Sequence, residues 1–111
     1  KKRNMPFCLH TDLPVTPLDP ILSMCAAPAR RTKSGKILGE DQRVSVYDAL
    51  RAWTVNAAHS MFGETVKGSI REGYLADLVI LSQNPLETAP DDLLDVQVVQ
   101  TVVGGKTVYR A

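Results

Sequence analysis

The chain has 111 residues, 44% of them hydrophobic, and a formal net charge of +1 from 13 basic and 12 acidic side chains. That length suits one domain with a single core and excludes a closed (β/α)8 barrel, which takes about 200 residues or more. Balanced charge leaves no electrostatic footprint for nucleic acid or an anionic membrane. No apolar run reaches the ~18 residues of a membrane span, and Lys1-Lys2-Arg3 is not followed by the apolar core of a signal peptide. Cys8 and Cys25 are too few for a disulfide framework and form no CxxC pair. They read as buried, reduced thiols of a cytoplasmic protein.

In chain order, Phe7-Cys8-Leu9 is a short apolar run that reads as the end of a buried strand. Pro14, Pro17 and Pro20 follow at three-residue spacing, which predicts an extended loop over 13–19. Asp19-Pro20 reads as an N-cap with proline at the first helical position, opening a helix from Ile21 to about Ala27. Pro28 weakens its continuation. Residues 30–43 are polar and lack periodicity, so an exposed loop is expected.

Ser45-Val46-Tyr47-Asp48 has the form of a capping box. Val46, Ala49, Leu50, Trp53, Ala57, Ala58 and Met61 then fall on one helical face, with Gly63 as the expected C′ residue. Gly68 and Gly73 predict tight turns. Leu78–Leu81 reads as a strand covered on both faces, stopped by Asn84-Pro85. Pro90–Leu94 reads as a single helical turn. Residues 96–103 and 106–110 read as two strands joined at Gly104-Gly105, a two-residue hairpin signal. The expected fold is α+β: two helices packed on a small, mostly antiparallel sheet.

Four segments in this order carry a resemblance: TDLPVTPLDP (11–20), LGEDQRVS (38–45) running into the Thr-Val-Asn-Ala-Ala helix, KGSIREGYLADLVIL (67–81) and the closing TVVGGKTVY (101–109). Together they resemble the C-terminal portion of metal-dependent amidohydrolases, and the first two point to amidohydrolase family 3, the N-substituted formamide deformylase-like proteins. The resemblance implies a (β/α)8 barrel with a small β-sandwich. Residues 1–65 would supply the last barrel strand, at 7–12, and barrel-side helices. Residues 66–111 would supply the C-terminal part of the sandwich.

The same resemblance implies hydrolysis of a non-peptide C–N bond, an amide or formamide of a small-molecule substrate, by metal-activated water. Asp12 would stand at the C-terminal tip of the last barrel strand, where barrel active sites lie. It would act as metal ligand or as base toward the metal-bound water, with zinc the expected metal. The remaining ligands, mostly histidines of earlier strands, are absent from this sequence. The chain therefore reads as part of a longer enzyme, inactive alone and holding no metal alone. A plainer reading has Asp12 merely capping a turn before Pro14.

His10 would share a strand face with Asp12 and reads as pocket-lining or orienting. His59 lies off the apolar stripe, at a helix end. Asn56 reads as a helix-packing or loop-bracing hydrogen bonder, and Asp77 as a carboxylate tying down the Gly68–Gly73 turn. Trp53 reads as core, and no triad motif activates Ser23 or Ser60. The alternative function is a non-catalytic regulatory or protein-interaction module, such as a regulator of exoenzyme production. Its exposed, formerly barrel-facing apolar surface would favour self-association.

Overall fold

The computed structural model describes residues 5–111. Three α-helices, two 3-10 turns and one antiparallel sheet follow in chain order. α1 spans Pro20–Ala29, α2 Val46–Trp53 and α3 Val55–Ser60; β1 spans Leu78–Leu81, β2 Val98–Val103 and β3 Lys106–Arg110. The α+β class thus holds, with one helix more than expected.

α1 starts where the sequence signals a start. The Asp19 carboxylate accepts from the Ile21 and Leu22 amides, with proline at N1. It runs through Pro28 and closes at Arg30, which adopts the left-handed conformation and donates its N–H to the Ala26 carbonyl. Pro28 stands inside the last turn with its ring buried, and the helix forgoes there the amide that would donate to the Met24 carbonyl.

At α2 the capping box is present in full: Ser45 Oγ accepts the Asp48 amide at 3.0 Å, and Asp48 accepts the Ser45 amide at 3.3 Å. The expected single helix over 45–62 is broken at Thr54 (φ −119°, ψ −89°). The Thr54 hydroxyl donates to the Leu50 carbonyl at 2.9 Å, a local bond that competes with the helical ladder and bends it. At the end of α3, Phe62 rather than Gly63 takes the left-handed position (φ 55°). Its amide donates to His59 O and that of Gly63 to Ala58 O, a Schellman closure with glycine one place later than expected.

No strand forms at Phe7-Cys8-Leu9. A strand needs a neighbour for its backbone groups, and the sheet order β1-β2-β3 offers this segment none. Cys8 is accordingly exposed, against the expectation of two buried thiols, whereas Cys25 is buried. The 30–43 loop carries an isolated bridge between Arg31 and Ile37 and a 3-10 turn at Glu40–Gln42.

The sheet follows the sequence closely. Gly104 and Gly105 both have positive φ (54° and 79°), as a two-residue hairpin with native twist requires, and Val103 pairs with Lys106 across them. β2 starts at Val98 rather than Val96, because Val96 is buried beside the 3-10 turn Pro90–Asp95. β1 is not covered on both faces: Val79 is 54% and Ile80 49% exposed.

The core is thin. Cys25 and Ala29 of α1 meet Leu93 and Val96 of the Pro90–Asp95 region, with Ile21, Val46 and Leu81 around them. Leu93 is the sole large side chain fully buried among the described residues. The helices thus reach the sheet through the Pro90–Asp95 turn and Leu81, not by lying flat on its face as expected. The radius of gyration is 14.6 Å, against about 13 Å for an ordinary domain of this length.

Candidate functional site

Asp12 opens the turn between residues 5–11, which form no regular element, and the proline loop. Its backbone is left-handed (φ 54°), a conformation aspartate tolerates better than most residues. The turn is closed by the Val15 amide donating to the Asp12 carbonyl at 2.7 Å. The carbonyl, not the carboxylate, caps this turn. Among the described residues the Asp12 carboxylate has no hydrogen-bond or ion-pair partner, and it is exposed.

His10 is also exposed, two residues away. Thr11 between them is buried at 7% exposure, and its carbonyl accepts the Thr16 hydroxyl. This alternation, with Thr11 inward and His10 and Asp12 outward, puts the two chemistry-bearing side chains on the open side of the segment. Neither lines a cavity. A shallow groove of about 570 Å³ lies elsewhere, between α2, α3 and β1, lined by Trp53, Ala57, Met61, Ile70, Leu78 and Leu86 among others. A second hollow of about 290 Å³ flanks Phe7, Asp48, Arg51 and Asn56.

Asn56, in the first turn of α3, donates from Nδ2 to the Phe7 carbonyl at 2.8 Å. This ties the helix to the segment that leads to Asp12. Asp77 does bond a turn amide, but that of Gly104 in the β2–β3 hairpin (2.8 Å), not one in the Gly68–Gly73 turn. The hairpin folds back over residues 76–77, where the Gly105 amide also reaches Ala76 O, so the carboxylate faces the hairpin. Trp53 is half-buried and donates its indole N–H to Ser23 Oγ at 2.8 Å, linking α2 to α1. Ser23 is therefore an acceptor in packing, with no base beside it.

His59 lies exposed at the end of α3 with Nδ1 3.2 Å from Glu64 Oε1. The Glu64 carboxyl is held below its ordinary value, chiefly by its own backbone amide and further by His59. Burial pushes the Cys25 thiol up, and the Asp91 charge adds to this. Cys25 Sγ donates to the Pro90 carbonyl at 3.1 Å, so this thiol packs the core and is a poor nucleophile.

Among the described residues no three His, Cys, Asp or Glu side chains converge on a point where a metal could sit. Asp12 and His10 offer one hard oxygen and one imidazole, short of the three or four donors a zinc site takes. The donors of this chain therefore do not by themselves make a metal centre. Sequence reasoning did not reach Thr11 and Thr16, whose bond fixes the backbone just before Asp12. The only trace of it in the sequence is a Thr-x4-Thr spacing around one proline, which is weak.

Comparison with known proteins places these features. The sequence profile of the amidohydrolase family matches residues 1–109. The chain is 36% identical over 102 residues to N-substituted formamide deformylase of Arthrobacter pascens, covering 92% of this chain and 19% of that protein. It is 36% identical over 107 residues to Protein LONG AFTER FAR-RED 3 of Arabidopsis thaliana, covering 96% and 18%. The crystal structure of an amidohydrolase from Thermotoga maritima MSB8 superposes with a TM-score of 0.70 at 27% identity, over 99% of this chain and 24% of that one. The chain spans about a fifth of the length of the curated relatives it matches. Among the described residues no helix is long and apolar enough to cross a membrane. With nearly its whole length matched, the chain belongs to the amidohydrolase family.

Proposed function

We propose that this chain is the C-terminal part of a hydrolase that cleaves a non-peptide C–N bond, an amide or formamide, in a small-molecule substrate. Residues 1–65 would complete the barrel with its last strand and helices, and residues 66–111 would contribute to the β-sandwich. The observation that carries this reading is a family match running from residue 1 to residue 109 at about a fifth of the relatives' length. It is supported by identity to a formamide deformylase over 92% of the chain.

In this reading Asp12 is the catalytic group of the segment. A carboxylate with no partner among the described residues can accept a proton from attacking water or bind a hard cation, zinc in the first instance. The other donors would come from histidines elsewhere in the parent enzyme, and the 111 residues alone are expected to be inactive. His10, exposed beside Asp12, lines the approach to it.

The test is Asp12→Asn in the full-length parent, assayed against a panel of amides and formamides with metal content measured alongside. Turnover is expected to be abolished while the thermal melt is unchanged. Retained turnover would remove Asp12 from the reaction. A parent without activity on any amide would favour the regulatory reading.

A further inference from the structure

The segment bearing Asp12 raises a question of support. Among the described residues, none from Met5 to Thr11 makes a backbone–backbone hydrogen bond. The first such bond is that closing the Asp12–Val15 turn. A stretch without a ladder would sample many backbone states, since each residue left free keeps about 1–2 kcal/mol of conformational entropy. Asp12 nevertheless holds a left-handed backbone and an outward carboxylate.

Two side chains supply what the backbone does not. Upstream, Asn56 Nδ2 holds the Phe7 carbonyl at 2.8 Å. Downstream, the Thr16 hydroxyl holds the carbonyl of buried Thr11. The first bond anchors the segment to a helix. The second folds the proline loop back on the residue immediately before Asp12. The two held carbonyls flank Cys8, Leu9 and His10, and the second bond closes the 11–16 loop that contains Asp12.

We propose that Asn56 and Thr16 are positioning residues for Asp12: they hold the Phe7 and Thr11 carbonyls that precede it, the second by closing the 11–16 loop around it, and so set the place and direction of its carboxylate. This rests on the role given to Asp12 above. Positioning of this kind matters because a misplacement of about 1 Å can cost about 100-fold in rate. Neither side chain needs to touch substrate to act in this way.

Isosteric substitutions test it. Asn56→Asp keeps the size of the side chain and removes the N–H donor, and Thr16→Val removes the hydroxyl, whereas Thr16→Ser keeps it. In the full-length parent, Asn56→Asp and Thr16→Val are expected to lower kcat roughly 10- to 100-fold with KM little changed. Thr16→Ser is expected to restore most of the rate. In the 111-residue chain, amide spectra of the two disabling variants should shift over residues 8–15 while those of α1 and β2 stay in place.

Unchanged kcat in Asn56→Asp and Thr16→Val, in a parent that Asp12→Asn inactivates, would overturn the positioning role alone. Loss of rate in Thr16→Ser equal to that in Thr16→Val would do the same for the hydroxyl. Normal turnover by Asp12→Asn would overturn the role of Asp12, and the positioning role with it.

Discussion

From Leu78 to Arg110 each strand finds its neighbour through repeated backbone pairs, with Val79 opposite Thr101 and Thr101 in turn opposite Tyr109. From Met5 to Asp19 the chain has no ladder: Asn56 ties Phe7 to α3, the Thr16 hydroxyl holds Thr11, and single backbone bonds close Asp12–Val15 and Pro17–Asp19. The contrast separates two sources of order. A ladder repeats, so losing one bond leaves its neighbours to hold the register. A tether does not repeat, and cutting it frees everything it held. The region proposed for chemistry thus lacks the repeated pairing that holds the sheet, as expected of functional segments drawn from the less stable parts of a fold.

The helices, residues 20–60, and the chain that follows them are joined at few places, and the contrast between helix and sheet breaks most readily there. Leu93 is fully buried against Cys25 and Ala29 of α1. Leu93→Ala is expected to cost about 2–5 kcal/mol, the range for buried leucine truncation. In a core this thin, urea denaturation should show the helical signal lost at lower denaturant than the sheet signal. Coincident transitions would show that the two regions are one cooperative unit.

A second joint lies where Gly68, at φ +90°, backs onto α3. A Cβ there would stand 2.7 Å from Ala58 Cβ and 3.1 Å from the Thr54 carbonyl. Gly68→Ala is therefore expected to destabilise by about 1–3 kcal/mol through overpacking, read from the same denaturation curves. Gly73→Ala, at a similar φ but with nothing within 4 Å of the added carbon, isolates the backbone part of that effect.

Within the helical half alone, Ser45→Ala removes the hydroxyl that accepts the Asp48 amide. The expected cost is about 1 kcal/mol, with helical circular dichroism falling and the β-sheet amide shifts unmoved. The smallest effect is electrostatic. The Glu64 carboxyl is held below its ordinary value by its own backbone amide and by His59. Its ionised form therefore stabilises the fold above the ordinary glutamate value, and this contribution is lost as pH falls through the lowered one. Glu64→Gln should make the acid side of the melting-temperature profile slightly shallower. A profile identical to the parent's would show the pair to be inert.

Much of this fold is legible in the residues. Asp19-Pro20, the capping box at Ser45 and the Gly104-Gly105 hairpin act through bonds spanning a few positions, so local chemistry determines them. The break at Thr54 was not legible, because a threonine within an apolar-periodic run fits both a continuous helix and a bent one. Its hydroxyl takes the Leu50 carbonyl only in the second case. The carboxylate of Asp77 was assigned the nearer turn, and the structure gives it a turn 27 residues away, a distance that chain order does not predict.

For the candidate site the division is sharper. The motif around Asp12 and the family to which it belongs could be read from the order of residues, because those residues recur together. Local propensity determined by itself the starts of α1 and α2, the hairpin and the strand run at 78–81. Tertiary structure alone decided that Cys8 faces solvent while Cys25 packs on Pro90, and that Phe7–Leu9 forms no strand. It alone decided that Asn56 holds the Phe7 carbonyl ahead of Asp12. The physical reason is common to all of these: each depends on whether a polar group or an apolar face finds a partner distant in sequence, and only the folded arrangement of the chain supplies or withholds that partner.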